Sequence, residues 1–273
     1  MAVGVALLAL LVLAPSALAG AFVPESGGSQ NADDISTLYK ITLYVSIVIF
    51  LIVEGTLIWS LVKFRARRGG PEPAQIRGNT PLELGWTIGA ALILLVLTVV
   101  TFVYLGDIKD PPASDPAVIA SINQPNPPGN QRDVLNIDVN GQQYLWRYDY
   151  PGKEQLFSFH ELVVPTGTTV TLDVTASDVI HSWWIPELGG KVDGVPGHTA
   201  ETWFKVPRGK EGEYEGQCAE LCGEGHADMR AVVRAVTPLE FSEWAEQQRA
   251  DIKEAQTDLA ERRKQREAEG GEF

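Results

Sequence analysis

Apolar residues are spread unevenly along this chain. Three apolar runs crowd the first 106 positions, and none of comparable length follows. The first, residues 5–19, is short for a membrane span and ends in small residues up to Gly20. It reads as a secretory signal covering residues 1–20, although no Lys or Arg precedes it, which leaves a retained anchor as the alternative. Ile41–Phe64 and Trp86–Leu105 are each long enough, as helices, to cross a hydrocarbon layer of about 30 Å. They define a membrane two-helix hairpin over residues 21–106, with helices at about 41–64 and 86–105. Glu54 is the one acid inside the first span, and an acid at membrane depth is a functional candidate by default. Lys63, Arg65, Arg67, Arg68 and Arg77 lie between the spans. The positive-inside rule assigns that loop to the cytoplasm and everything after residue 106 to the outer face, the periplasm of a bacterial inner membrane.

Beyond the hairpin the pattern changes twice. Residues 107–133 are rich in Pro, Asn, Asp and Ser and read as a linker. From Val134 onward short runs rich in Val, Ile, Thr and aromatics alternate with turn residues. Val134–Val139, Gln143–Tyr150, Thr168–Thr175, Val179–Ile185, Thr202–Val206 and Met229–Val236 are the expected strands, with Glu213–Glu215 a further one. Such spacing predicts an all-β sandwich or barrel over residues 134–240. Residues 241–273 are charged on all faces with little apolar stripe, and read as an exposed helix or tail.

Composition sharpens this picture in two respects. The chain has 273 residues, 35 acidic against 22 basic, and a formal charge of −13. Acidity of this sort suits a basic protein partner and not nucleic acid. Cysteine and methionine are scarce, two of each, and one Met is residue 1. Both cysteines and the other Met fall in one window, Cys218-x3-Cys222-x3-His226-x2-Met229. Two thiolates, an imidazole and a thioether form a soft donor set of the kind that selects copper for electron transfer. The spacing does not match the Cys-x-x-Cys-His of haem attachment or the Cys-x-x-Cys of thioredoxins, and Met is foreign to structural zinc sites. A disulfide between Cys218 and Cys222 is the plain alternative. His181 lies on an earlier expected strand, beside Trp183. A histidine there is more often structural than a ligand. In a β-sandwich copper protein, however, one His comes from an earlier strand and the other ligands from a late loop. Two thiolates can also bridge two coppers.

The hairpin, the stretch Gly141-Gln142-Gln143-Tyr144-Leu145-Trp146-Arg147-Tyr148-Asp149-Tyr150-Pro151, Asp178-Val179-Ile180-His181-Ser182-Trp183, Lys191–Gly197 and the Cys window together resemble subunit II of the haem-copper cytochrome c oxidases, across roughly residues 35–245. The resemblance implies a cupredoxin-like Greek-key domain carrying a binuclear CuA centre. That centre would take electrons from cytochrome c and pass them to haem in subunit I of a proton-pumping terminal oxidase, where oxygen is reduced to water. It implies that Cys218 and Cys222 bridge two copper ions. His181 and Met229 complete one ion, while His226 and the carbonyl of Glu220 complete the other. The Glu220 side chain would face magnesium or manganese at the interface with subunit I, which Asp193 also borders. Glu83 matches the acid at the entrance of a proton channel. Tyr144 stands where the family usually has the Trp that receives electrons, with Trp146 nearby, and His198 stands in place of a usual Arg. A membrane-tethered copper-delivery protein and a copper-free quinol-oxidase subunit are the competing readings; the β-rich pattern and the full donor set weigh against them.

Overall fold

The computed structural model describes residues 22–65, 72, 74–116, 118, 134–152 and 155–268. The expected signal at 1–20, Arg67 and Arg68, and most of the linker at 107–133 lie outside the described residues.

The chain divides into a helical unit, Ser36–Gly106, and a β-rich unit made of Pro24–Ile35 together with the chain from Asp107 onward. Helix α1 runs Gln30–Lys63 and α2 runs Thr80–Lys109. Both extend beyond the apolar runs, because backbone hydrogen bonding carries a helix through polar turns that hydropathy does not count. At the start of α2, the Asn79 Oδ1 accepts the Leu82 N–H (3.3 Å) and the Glu83 carboxylate accepts the Asn79 N–H (3.1 Å). This is a reciprocal cap for otherwise unpaired helix donors. Within the apolar windows of both helices no side chain is buried, as lipid contact requires.

Residues 24–35, expected with the hairpin, belong instead to the β-rich unit. The Gly28 N–H donates to the Glu187 carbonyl (3.2 Å). The Lys205 N–H donates to Ser29 Oγ (3.1 Å), and Asn31 Nδ2 donates to the Trp203 carbonyl (3.0 Å). A Cβ on Gly28 would lie 2.7 Å from the Tyr214 ring, so the strap is seated directly on the domain.

Ten strands follow: β1 (Leu135–Gln142), β2 (Leu145–Tyr150), β3 (Leu156–Phe159), β4 (Glu161–Pro165), β5 (Thr169–Ala176), β6 (His181–Trp183), β7 (Val192–Gly194), β8 (Ala200–Lys205), β9 (Gly212–Gln217) and β10 (Arg230–Val236). They form a five-stranded sheet in the order β3-β2-β1-β5-β8, a three-stranded sheet β4-β10-β9 and the hairpin β6-β7. Burial alternates along β1, β5 and β10, as two-residue periodicity demands. Ile137, Val139, Trp146, Tyr148, Leu172, Val174, Phe204, Ala231 and Val233 fill the space between the sheets. Trp183 stacks on Phe204 and donates to the Tyr148 hydroxyl (3.2 Å), which ties β6 into that core. The result is the expected two apolar helices and all-β, cupredoxin-like sandwich.

Three strands, β3, β4 and β7, lie outside the expected set. β3 and β4 belong to different sheets and are separated by His160 alone, which turns with φ 65°. No Gly or Pro marks that switch. The expected strand Val179–Ile185 shrinks to β6, because the Asp178 side chain accepts the Gln143 and Val179 N–H groups and holds a turn there. Helix α3 (Pro238–Ala268) closes the fold. Thr237 and Glu240 cap its start reciprocally, and Phe241, Ala245 and Ile252 are buried.

Candidate metal centre

His181 stands on β6 with its side chain fully buried. Gly141 on β1 makes room for it: a Cβ there would lie 2.9 Å from the His181 ring and 3.0 Å from that of Trp146. Trp146 packs edge-on to the imidazole at 5.9 Å between centroids. The loop 218–229 joins β9 to β10, which pair antiparallel up to Gln217 and Arg230. Its ends are fixed by backbone hydrogen bonds. The Cys218 N–H donates to the Met229 carbonyl (2.9 Å), the Ala219 N–H to the Ser182 carbonyl (2.9 Å) and the Gln217 N–H to the Trp184 carbonyl (3.1 Å). The last two lash the loop to the strand that carries His181. A single helical turn, His226–Asp228, then folds the imidazole of His226 back toward the sulfurs.

The donors converge. Cys218 Sγ lies 3.9 Å from Cys222 Sγ, 3.8 Å from His181 Nδ1 and 3.2 Å from the Glu220 carbonyl oxygen. Cys222 Sγ lies 3.6 Å from His226 Nδ1 and 3.9 Å from Met229 Sδ. Both thiols are free and buried. Their separation is well beyond the roughly 2.05 Å of a disulfide, so that alternative is not formed. Among the described residues, His181, Cys218 and Cys222 are the one group of three or more His, Cys, Asp or Glu side chains whose ligand atoms fall within 4.8 Å of one another. Burial, then the neighbouring Cys218, pushes the Cys222 thiol up to about 11. Binding a thiophilic metal through the Cys222 thiolate therefore releases a proton.

Asp178 sets the orientation of His181, and Gln143 helps hold the loop; neither was given a role in the sequence reading. Asp178 Oδ1 lies 2.8 Å from His181 Nε2, which places the proton on Nε2 and turns the Nδ1 lone pair toward the sulfurs. Burial alone would raise the Asp178 carboxyl, but hydrogen bonds from His181 and from the Gln143 and Val179 amides hold it below its ordinary value. Gln143 Nε2 donates to the Cys222 carbonyl (2.7 Å). An acid three positions before a candidate ligand His was the available signal.

The other named residues sit as follows. Tyr144 is half-buried over the loop: Cβ atoms on Gly223 and Gly225 would lie 2.5 Å from its hydroxyl and 2.6 Å from its ring. Trp146 is buried behind His181. The Glu220 side chain is exposed, as is Asp193, which pairs with Ser182 across the β6-β7 hairpin. Glu83 belongs to the helical unit and caps α2.

Comparison with known proteins gives the family. The family model described as cytochrome c oxidase subunit II, transmembrane domain, matches residues 17–103, and that for the periplasmic domain of the same subunit matches residues 152–236. A probable cytochrome c oxidase subunit 2 from Rickettsia bellii is 33% identical over 236 residues, covering 79% of this chain and 80% of the relative. Cytochrome c oxidase subunit 2 from Alkalihalophilus pseudofirmus is 34% identical over 228 residues, covering 82% of this chain and 61% of the relative. The crystal structure of the periplasmic domain of cytochrome oxidase subunit II from Bradyrhizobium japonicum aligns at 36% identity with a TM-score of 0.41, over 43% of this chain and 94% of that one. The chain belongs to the cytochrome c oxidase subunit II family, with two transmembrane helices and a periplasmic β-domain.

Proposed function

We propose that this chain is the electron-accepting subunit of a proton-pumping haem-copper oxidase. It would take electrons from cytochrome c at a binuclear copper centre and deliver them to haem in subunit I, where oxygen is reduced to water. One observation carries the reading: two free, buried thiols 3.9 Å apart, each with an imidazole Nδ1 within 3.8 Å, and a thioether sulfur beside one of them. This soft donor set fits copper and leaves no natural place for a hard cation.

In this reading Cys218, Cys222, His181, His226, Met229 and the Glu220 carbonyl would hold two copper ions, which would supply one-electron transfer. The chain's own residues hold that set rigid. Asp178 fixes the His181 ring, Gln143 fixes the Cys222 backbone, and the β9-β10 ladder fixes both ends of the loop. Trp146 and Met229 keep water away from the inner side. Tyr144, which packs against the loop glycines, and Trp146, which packs against His181, would carry electrons inward. The exposed Glu220 carboxylate suits magnesium or manganese at the subunit I interface, since hard cations take oxygen ligands. The acidic composition suits a basic cytochrome. Copper content and the paramagnetic spectrum of the loaded full-length chain test this reading. Two coppers sharing one unpaired electron support it, whereas a single copper or a preference for zinc would oppose it.

Glu83 is proposed as the proton-uptake acid at the cytoplasmic end of α2. Its cap on Asn79 gives it a structural task as well. Gln keeps the accepting oxygen and loses the acid, so Glu83→Gln separates the two roles. Turnover of the assembled oxidase should fall roughly tenfold, below the range for a group that protonates the reacting atom itself. The copper spectrum should not move. Unchanged turnover would leave Glu83 as a cap only.

A further inference from the structure

Glu54 lies in α1 where nothing among the described residues accounts for it. It stands nine positions before Lys63 and thirteen after Ile41. At about 1.5 Å of rise per residue it is roughly 14 Å from the cytoplasmic end of the helix. In a hydrocarbon core about 30 Å thick that is close to the middle, beyond the reach of a short carboxylate side chain to water. Three hydroxyls of the same span are satisfied by their own helix. Thr42 donates to the Leu38 carbonyl (3.0 Å), Ser46 to that of Thr42 (2.8 Å) and Thr56 to that of Ile52 (2.6 Å). Glu54 makes no hydrogen bond or ion pair among the described residues. One turn to either side, Phe50, Leu51, Leu57 and Ile58 are all exposed. Helix α2 offers no complement: no charged residue lies between Glu83 and Asp107, and at the corresponding depth it presents Gly89–Leu95, glycine and aliphatic throughout.

Acids at this depth face protein and not lipid, and they pair with a donor. We propose that Glu54 marks the face of α1 that packs against a transmembrane helix of another oxidase subunit, and that this helix presents a hydrogen-bond donor to the carboxyl. A second copy of this chain would bring only another acid to the same depth, so the complementary partner is a different polypeptide. The inference rests on assembly into an oxidase, as proposed above.

The experiment uses the whole oxidase in native membranes. In Glu54→Leu, the share of this chain that stays with the other subunits through a graded detergent series should fall roughly 3- to 30-fold, the span expected for one intramembrane hydrogen bond. Glu54→Gln, which keeps an acceptor, should stay close to wild type. Leu is more apolar than Glu, so membrane insertion is not endangered. In parallel, a photo-crosslinking residue in place of Leu51 or Ile58 should yield an adduct with a different oxidase subunit. Retention of Glu54→Leu at the wild-type level would overturn the proposal, as would an adduct with a second copy of this chain or with lipid alone. The copper spectrum of the same samples reports separately on the electron-accepting role, because the copper residues lie in the other structural unit.

Discussion

Replacing Cys222 with Ser is expected to abolish the binuclear centre while leaving the β-domain folded. Cys222 touches three of the other donors, Cys218, His226 and Met229. Ser is close in size, so the buried position should tolerate it. A hydroxyl, however, is a hard and weakly acidic donor that cannot replace a bridging thiolate. The full-length Cys222→Ser chain should bind at most one copper, and that copper should show the spectrum of an isolated ion. Oxidase turnover with cytochrome c should fall by more than the roughly 10–100-fold seen when a residue that only supports a ligand is lost. Unfolding of the metal-free variant, followed by circular dichroism, should match that of the metal-free wild type. A variant that still binds two coppers would show that Cys222 is not a bridge.

Gly216→Ala is expected to have the largest effect on stability. Gly216 lies near the end of β9, two residues before Cys218, where that strand crosses the backbone of Trp184 and Ile185. A Cβ at 216 would overlap the Trp184 carbonyl oxygen and lie 2.8 Å from the Ile185 side chain. Neither the carbonyl nor its peptide can move freely, because the same oxygen accepts the Gln217 N–H that lashes the loop to the His181 strand. Overpacking of this kind costs about 3 kcal/mol at the upper end of the usual range. For a domain of this size that is roughly 6–12 °C in Tm. Because relief of the clash separates Cys218 from His181, copper should also be lost more readily in a competing chelator. A metal-free Tm within a degree or two of wild type would mean that the crossing is looser than the structure has it.

The membrane spans, the strand-rich domain and the donor set were legible in the sequence because each has a local signature. Long uninterrupted apolar runs, two-residue alternation and a soft-donor window spaced on one loop can all be read without long-range contacts. His181 was less legible: a lone His beside Trp183 and Trp184 has no local mark of a ligand, and only the ligand order of β-sandwich copper proteins singled it out. What stayed hidden depends on contacts distant in sequence. Asp178 reaches a histidine three positions on, but its meaning comes from the sulfurs that the β9-β10 loop brings to the other side of that ring. The seating of residues 24–35 on the β-domain depends on Trp203, Lys205 and Glu187, more than 150 positions away. The switch at His160 lacks Gly or Pro, so no local turn signal separates β3 from β4.

Cys218 and Cys222 are proposed to share a pair of copper ions. Electron paramagnetic resonance of the detergent-solubilised full-length chain, loaded with isotopically pure copper and read beside its copper-to-protein ratio, addresses this most directly. The expected result is two coppers per chain and a hyperfine pattern from one unpaired electron divided equally between two copper nuclei. A pattern from a single nucleus, or a silent sample in which the two sulfurs have joined to each other, would contradict it.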